Sequence, residues 1–282
     1  MSESAMFKKL FSKNDVSKHA LAVVTGAGSG IGQAFALQIA KRGGEVVCAD
    51  INLITAQKTA DTINTSGGKA FAVQCDVTDL AQVENLAIRA EQLLSAPIDL
   101  VINNAGVGAG GHRIGDISMD DWKWVMNVNL WGVIHGCHVF APRLRALGRG
   151  GIINVASTAS FAAAPLMGPY NATKAAVLAI SETLSAEMVG TDIHVSALCP
   201  TFVQTNITRD GRIAESSSRL ADQLMKWTGI PAERVAVTTL DALDLGQLYV
   251  LPQLDARMIW RMKRYAPAIY TQSLGVLNRF AG

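Results

Sequence analysis

Tyr170 and Lys174 stand four residues apart in PYNATKAA, residues 169–176. On a helix, positions i and i+4 share a face, so this spacing brings a phenol and an ammonium together. An ordinary tyrosine titrates near pH 10, and proton transfer works best when the catalyst titrates close to working pH. Closing a gap of roughly 3 units takes about 4 kcal/mol of help for the phenolate. A fixed lysine cation supplies part of that, because an opposite charge nearby favours the ionised form. Pro169 suits the first turn of such a helix, where a missing N–H costs nothing. The same YxxxK spacing arises by chance in ordinary helices, so the pair takes its meaning from the elements that position it.

From Ala20 onward, short β-rich apolar runs alternate with longer helical segments. The strands are expected at ALAVVT (20–25), EVVCAD (45–50), KAFAVQC (69–75), IDLVIN (98–103), GIINVA (151–156), IHVSALC (193–199) and QLYVLP (247–252). Helical periodicity covers 30–43, 53–66, 79–96, 120–148 and 168–189. Runs that are apolar on both faces and separated by helices imply a parallel sheet covered on both sides. The expectation is an α/β, doubly wound, Rossmann-like parallel sheet of about seven strands in a single domain. Its ligands would sit beyond the carboxyl ends of the strands.

The 282 residues suffice for such a domain; 49% are apolar and 17% charged, with a net charge of +2. That composition excludes a disordered chain and gives no global reason to expect nucleic acid. Cys48, Cys75, Cys137 and Cys199 form no CxxC pair, which points to reduced thiols and a cytoplasmic location. The five histidines make no metal-binding pattern, and no apolar run reaches the length of a membrane span.

Residues 1–18 read as a flexible leader, 19–252 as a dinucleotide-binding catalytic domain, and 253–282 as an amphipathic C-terminal extension. Within the domain, 205–245 reads as a helical substrate lid containing ESSSR (215–219). In the extension, Arg257, Arg261, Lys263 and Arg264 alternate with Met258, Ile259, Trp260, Met262 and Tyr265. A packed helix with a solvated basic face is the favoured account of it, and membrane contact, also open to Phe7, Leu10 and Phe11 of the leader, the sharper one.

The first strand runs into TGAGSGIG, residues 25–32. Gly26, Gly30 and Gly32 allow a tight turn and close approach of a pyrophosphate, whose charge rests on the next helix N-terminus. Asp50 ends the second strand, where a carboxylate accepts from an adenosine ribose diol and repels a 2′-phosphate. The neighbouring Ser29 and Ile51 carry no positive charge, so the pattern favours NAD over NADP. Asp76 follows the third strand and NNAG (103–106) ends the fourth, both on the sheet edge where a nucleotide would run.

Taken in order, these residues closely resemble the short-chain dehydrogenase/reductase family over roughly 18–252. The set is TGAGSGIG, NNAG, NVNLWG (127–132), a serine thirteen before the tyrosine, YNATK (170–174) and CPTFVQT (199–205). The resemblance implies a catalytic unit of Asn129, Ser157, Tyr170 and Lys174; Ser160 lies too close to Tyr170 for the family spacing. It implies a cofactor site of Gly26, Ser29, Gly30, Ile31, Gly32, Asp50, Ile51, Asp76, Val77, Asn103, Ala105, Gly106, Pro200, Val203 and Thr205, with Tyr170 and Lys174. Where the family usually has Pro-Gly after the sixth strand, this chain has Pro200-Thr201. In such a unit Tyr170 would take the alcohol proton, Ser157 would hold the substrate oxygen, and Asn129 would hold a water linking Lys174 to solvent.

The substrate would meet Ser157, Tyr170, Met167 and Phe202, among loops that also carry Val107, Phe161, Ala162, Ala163 and Leu166, under Leu220, Leu224, Met225 and Trp227. Few charges lie there, so a hydrophobic alcohol or ketone is expected. The alternatives are an NADP-dependent carbonyl reductase, a catalytically idle nucleotide-binding scaffold and a membrane-surface lipid-handling enzyme. A homodimer or homotetramer through 120–148 and 168–189 follows from the resemblance.

Overall fold

The computed structural model describes residues 15–205, 211–214 and 229–280. Seven parallel strands form one sheet in the order β3-β2-β1-β4-β6-β7-β9. In chain order the first half is β1 (Leu21–Thr25), α1 (Gly30–Lys41), β2 (Glu45–Asp50), α2 (Leu53–Thr65), β3 (Lys69–Gln74), α3 (Leu80–Leu93) and β4 (Leu100–Asn103). A two-residue β5 (Ala109–Gly110), α4 (Met119–Met126) and α5 (Gly132–Leu147) follow, then β6 (Arg149–Val155), a short α6 (Ala159–Ala162), α7 (Gly168–Glu187) and β7 (Asp192–Leu198). β8 (Arg212–Ile213), α8 (Ala232–Asp244), β9 (Tyr249–Val250), α9 (Leu254–Tyr265) and α10 (Pro267–Phe280) complete the described chain.

The apolar strands behave as a doubly covered sheet requires. In β1 the fully buried neighbours Val23 and Val24 enter different cores, one on each face. Val24 packs with Phe35, Ile39, Ile153 and Leu240, while Val23 packs with Leu86, Val101 and Phe140. Helix starts follow local chemistry: Asn52 caps α2 by accepting from Ile54 and Thr55 N–H groups, and Asp79 caps α3 through Ala81 N–H. The strand order reverses between β1 and β4, which opens a crevice at their carboxyl ends.

Four expectations are corrected. The single helix over 120–148 is three pieces, because a π-helical turn, Asn127–Trp131, separates α4 from α5. A single turn of this kind within a long helical segment is too short to be set apart by periodicity. The lid over 205–245 loses its C-terminal part: α8 buries Val235, Ala236, Leu240 and Leu243 in the core and belongs to the helical layer. Leu220, Leu224, Met225, Trp227 and ESSSR lie outside the described residues, as do 1–14 of the leader. Residues 15–18 are tied to the domain, since buried Ser17 donates its N–H (2.8 Å) and hydroxyl (2.7 Å) to the Asp244 carboxylate. The fourth is the last strand, shortened from 247–252 to two residues that pair with β7 at the sheet edge.

The four cysteines are unpaired, and burial pushes the thiols of Cys48, Cys75 and Cys199 up to about 12. Among the described residues no helix is long and apolar enough to cross a membrane.

Candidate active site

The crevice between β1 and β4 is closed at its floor by side chains that hold the glycine turn. Thr25 Oγ1 accepts from the N–H groups of Asn104 (3.0 Å) and Ala105 (3.2 Å). Asn104 Nδ2 donates to the carbonyls of Thr25 (2.8 Å) and Gly26 (3.2 Å). Gly26 has φ +63°, and a Cβ there would lie 2.9 Å from Ala105 Cα; a Cβ on Gly32 would strike the Gly26 carbonyl. No other residue type fits this contact without moving backbone.

Ser29, at the start of α1, makes no capping bond, and the first turn holds no carboxylate. The Ile31 and Gly32 end of the helix is therefore an electropositive terminus that its own side chains do not neutralise, which suits a phosphate. The Thr205 methyl flanks Gly30, and a cavity of about 310 Å³ lined by Gly30, Gln33, Gln204 and Thr205 lies beside them. Asp50 stands at the end of β2, its two oxygens accepting from Gly28 N–H and Asn52 N–H at 2.9 Å each. Exposed Ile51 follows it. Asp76 turns the chain after β3 by accepting from Thr78 N–H, and the Val77 carbonyl is bonded by His135 Nδ1 at 2.8 Å. These residues meet along one edge and fit a dinucleotide.

Asn103 does not join them through its side chain. It points into the core, where Nδ2 donates to Asn154 Oδ1 (2.8 Å) and Oδ1 has no partner. Only its backbone can reach the crevice. Asn104, its neighbour, is the residue that sequence reasoning missed; the doubled asparagine of NNAG was the available signal.

At the reaction end, β6 delivers Ser157 and α7 delivers Tyr170 and Lys174. Burial raises the Tyr170 phenol above its ordinary pKa, and a hydrogen bond with Ser157 pulls it back. The Ser157 oxygen also accepts from Ala159 N–H at 3.1 Å. Buried Lys174 donates through Nζ to the Val155 carbonyl (2.8 Å), 5.8 Å from the centre of the Tyr170 ring. Burial depresses its pKa to about 8. The four-residue spacing thus brings the ammonium beside the phenol ring. Ser160 is occupied elsewhere, its hydroxyl donating to the Lys174 carbonyl at 2.7 Å.

Asn129 lies in the π-turn, fully buried, and its amide embraces Val107: Oδ1 accepts from Val107 N–H (2.7 Å) and Nδ2 donates to Val107 O (2.9 Å). The amide expected to hold a water is thus engaged with the loop after β4. A Cβ on Gly106 would come within 3.2 Å of Asn129 Oδ1 and 3.6 Å of Lys174 Nζ, so this loop, the π-turn and α7 converge.

The substrate side is built from three short segments. β5 pairs with β8, and Gly111 N–H donates to the Leu166 carbonyl at 2.8 Å. Ala163 (φ +50°) and Leu166 (φ +64°) hold left-handed conformations in the loop between α6 and α7, the kind of backbone strain that persists where surroundings enforce it. Met167 lies against Gly110 in this wall. Arg212 anchors β8 to α4, bonding Asp121 at 2.8 Å and lying 4.4 Å over the Trp124 ring. Ala162 is buried, and half-buried Phe161 packs on a core of Val133, Ala156, Val177 and Cys199.

The turn after β7 is held from beyond the last strand. Thr158 N–H donates to Pro200 O (2.9 Å), while buried Gln253 accepts from Thr201 N–H (3.2 Å) and donates to Phe202 O (2.9 Å). Thr201 Oγ1 donates to Asp255 Oδ1 at 3.1 Å, at the start of α9. Val203, which follows, is buried and bridges to Ile230. Gln253 was invisible to sequence reasoning because the pairing spans about fifty residues.

The sequence model of the short chain dehydrogenase family matches residues 20–216. The chain belongs to that family. It is 36% identical over 239 residues, 84% of each chain, to 1-deoxy-11-beta-hydroxypentalenate dehydrogenase of Streptomyces exfoliatus. It is 40% identical over 188 residues, 66% of its length, to the probable oxidoreductase EphD of Mycobacterium tuberculosis, but that match covers only 31% of EphD. The chain thus spans about a third of that relative's length. A short-chain dehydrogenase/reductase of Burkholderia phymatum, solved in complex with NAD, superposes with a TM-score of 0.83 at 34% identity, over 88% of this chain and 94% of that one. Oxidoreductases and dehydrogenases are thus named among the proteins it is similar to, and one similar structure holds NAD.

Proposed function

We propose that the protein is an NAD-dependent dehydrogenase that interconverts a hydrophobic alcohol and its ketone, with Tyr170 as general base and acid. The observation that carries this reading is the placement of buried Lys174 Nζ 5.8 Å from the centre of the Tyr170 ring, at the end of the strand that delivers Ser157. The cofactor, when bound, accepts or returns the hydride. Ser157 orients the substrate oxygen and stabilises charge developing on it, while Tyr170 takes its proton. Lys174, held by Val155 O, fixes the floor of this end, and Asn129 is a positioning residue that braces Val107.

Asp50 supports NAD: its carboxylate faces the end of the glycine turn, and neither Ser29 nor Ile51 could balance a 2′-phosphate. Met167 and Phe202 would touch an apolar substrate. The Streptomyces relative is named as a dehydrogenase of a hydroxylated compound, in keeping with the alcohol half of the reaction. Assembly as a homodimer or homotetramer through α4, α5 and α7 belongs to the same reading.

The test is titration calorimetry of NAD against NADP on the wild type and Asp50→Ala. Tight NAD binding, weak NADP binding and loss of the preference in the variant are expected. Equal or stronger NADP binding would turn the reading to a carbonyl reductase. Binding of neither would leave a catalytically idle scaffold.

A further inference from the structure

The C-terminal extension leaves apolar residues exposed alongside its basic ones. The inner face of α9 and α10 docks through small or aromatic groups: Ala256 is fully buried, Tyr270 nearly so, and Trp260 lies 5.8 Å from the Tyr249 ring. The outer face of α9 carries Leu254 (72% exposed), Met258 (55%), Met262 (46%) and Tyr265 (82%). Offsets of four, four and three residues put all four on one stripe of the helix. Arg257, Arg261 and Arg264, spaced by four and three, form the adjoining stripe, also exposed.

These cations have no carboxylate to answer them. Among the described residues none of Arg257, Arg261, Lys263 or Arg264 forms an ion pair. Arg264 instead lies over the Trp260 ring and Lys263 over the Tyr270 ring, contacts that fix the side chains and leave the charge. Residues 253–282 hold five basic residues and one acidic one, a net +4 in a chain of net +2, so the remainder is net negative. The only acid, Asp255, is bonded to Thr201.

We propose that the outer face of α9 seats on an anionic lipid surface, with Leu254, Met258, Met262 and Tyr265 entering the headgroup boundary and the arginine stripe meeting the lipid charge. An amphipathic helix with this division of faces lies in the plane of an interface. A second copy of the chain fits less well, because a two-fold contact would set one arginine stripe against another with no acid between. The proposal rests on exposure and charge alone and is independent of the choice between NAD and NADP.

The experiment is co-sedimentation of the full chain with vesicles of phosphatidylcholine alone and with about a third phosphatidylglycerol, at low salt. Binding to the anionic vesicles only is expected, weakened at least about tenfold in roughly 0.5 M salt. Met258→Asp with Met262→Asp, both on exposed positions, should abolish binding with thermal stability and oligomeric state unchanged. Arg257→Gln with Arg261→Gln should weaken it. No binding of the wild type to anionic vesicles overturns the proposal. So does a change of oligomeric state, by light scattering, in the methionine variant, which would assign the face to a second copy.

Discussion

The two ends of the crevice are held by different means. At the nucleotide end, the glycine turn, Asn104 and Asp50 are locked by bonds between residues adjoining the parallel strands β1, β2 and β4. At the substrate end, segments far apart in the chain are clipped together by single side chains: Arg212 to Asp121, Gln253 to Thr201 and Phe202. The first end is thus held by bonds to neighbouring strands of the sheet, and the second by a few side chains that substitutions can rebuild. Binding of cofactor and of substrate should therefore be separable by mutation.

The group common to both ends should show the largest effect. Tyr170→Phe removes one hydroxyl and should lower kcat by about a thousandfold, with cofactor affinity within about twofold of wild type. Steady-state kinetics with calorimetric titration read both. A kcat within tenfold of wild type would remove Tyr170 from the chemistry.

Lys174 should show itself in stability. Its pKa is lowered from 10.5 unfolded to about 8 in the folded chain. Between those values the unfolded chain binds more protons, so this group's contribution to stability rises with pH across that window. Below pH 8 both forms carry the proton and the burial penalty, on the order of 3 kcal/mol, is present in full. Lys174→Met should therefore gain on the wild type in denaturant melts at neutral pH, and that gain should shrink toward pH 10. A difference independent of pH would mean that the lysine is not penalised by burial.

The separability itself is tested by a pair. Gly32→Val drives a side chain into the Gly26 carbonyl and should weaken cofactor binding at least about tenfold. Arg212→Ala should raise the substrate KM a few-fold, leave the cofactor Kd alone and change stability by less than about 1 kcal/mol, since the ion pair is half exposed. If Arg212→Ala weakens cofactor binding equally, the two ends are one cooperative unit.

The same division governs what could be read from the chain. The strand runs, the glycine turn and Tyr170–Lys174 are local patterns with local causes, and the seven-stranded sheet follows from them. Asn103 went astray because alternation of faces along β4 carries its side chain into the core while Asn104 takes the turn. Asn129 was legible as a position, but its hold on Val107 depends on a π-turn that periodicity does not detect. The helix α8 reads as lid by its place in the chain and is core by what it packs against. The clips at 212 and 253 pair residues whose separation in sequence carries no signal.

Thr201 stands where relatives usually carry glycine, yet its backbone stays outside the left-handed region that only glycine occupies freely. Its hydroxyl has found Asp255, and its N–H has found Gln253. Restoring the family's residue would leave the start of α9 without its tether and give the turn a freedom it does not use. At this position the common residue has become the foreign one, and C-terminal segments cannot be exchanged among relatives without exchanging the turn as well.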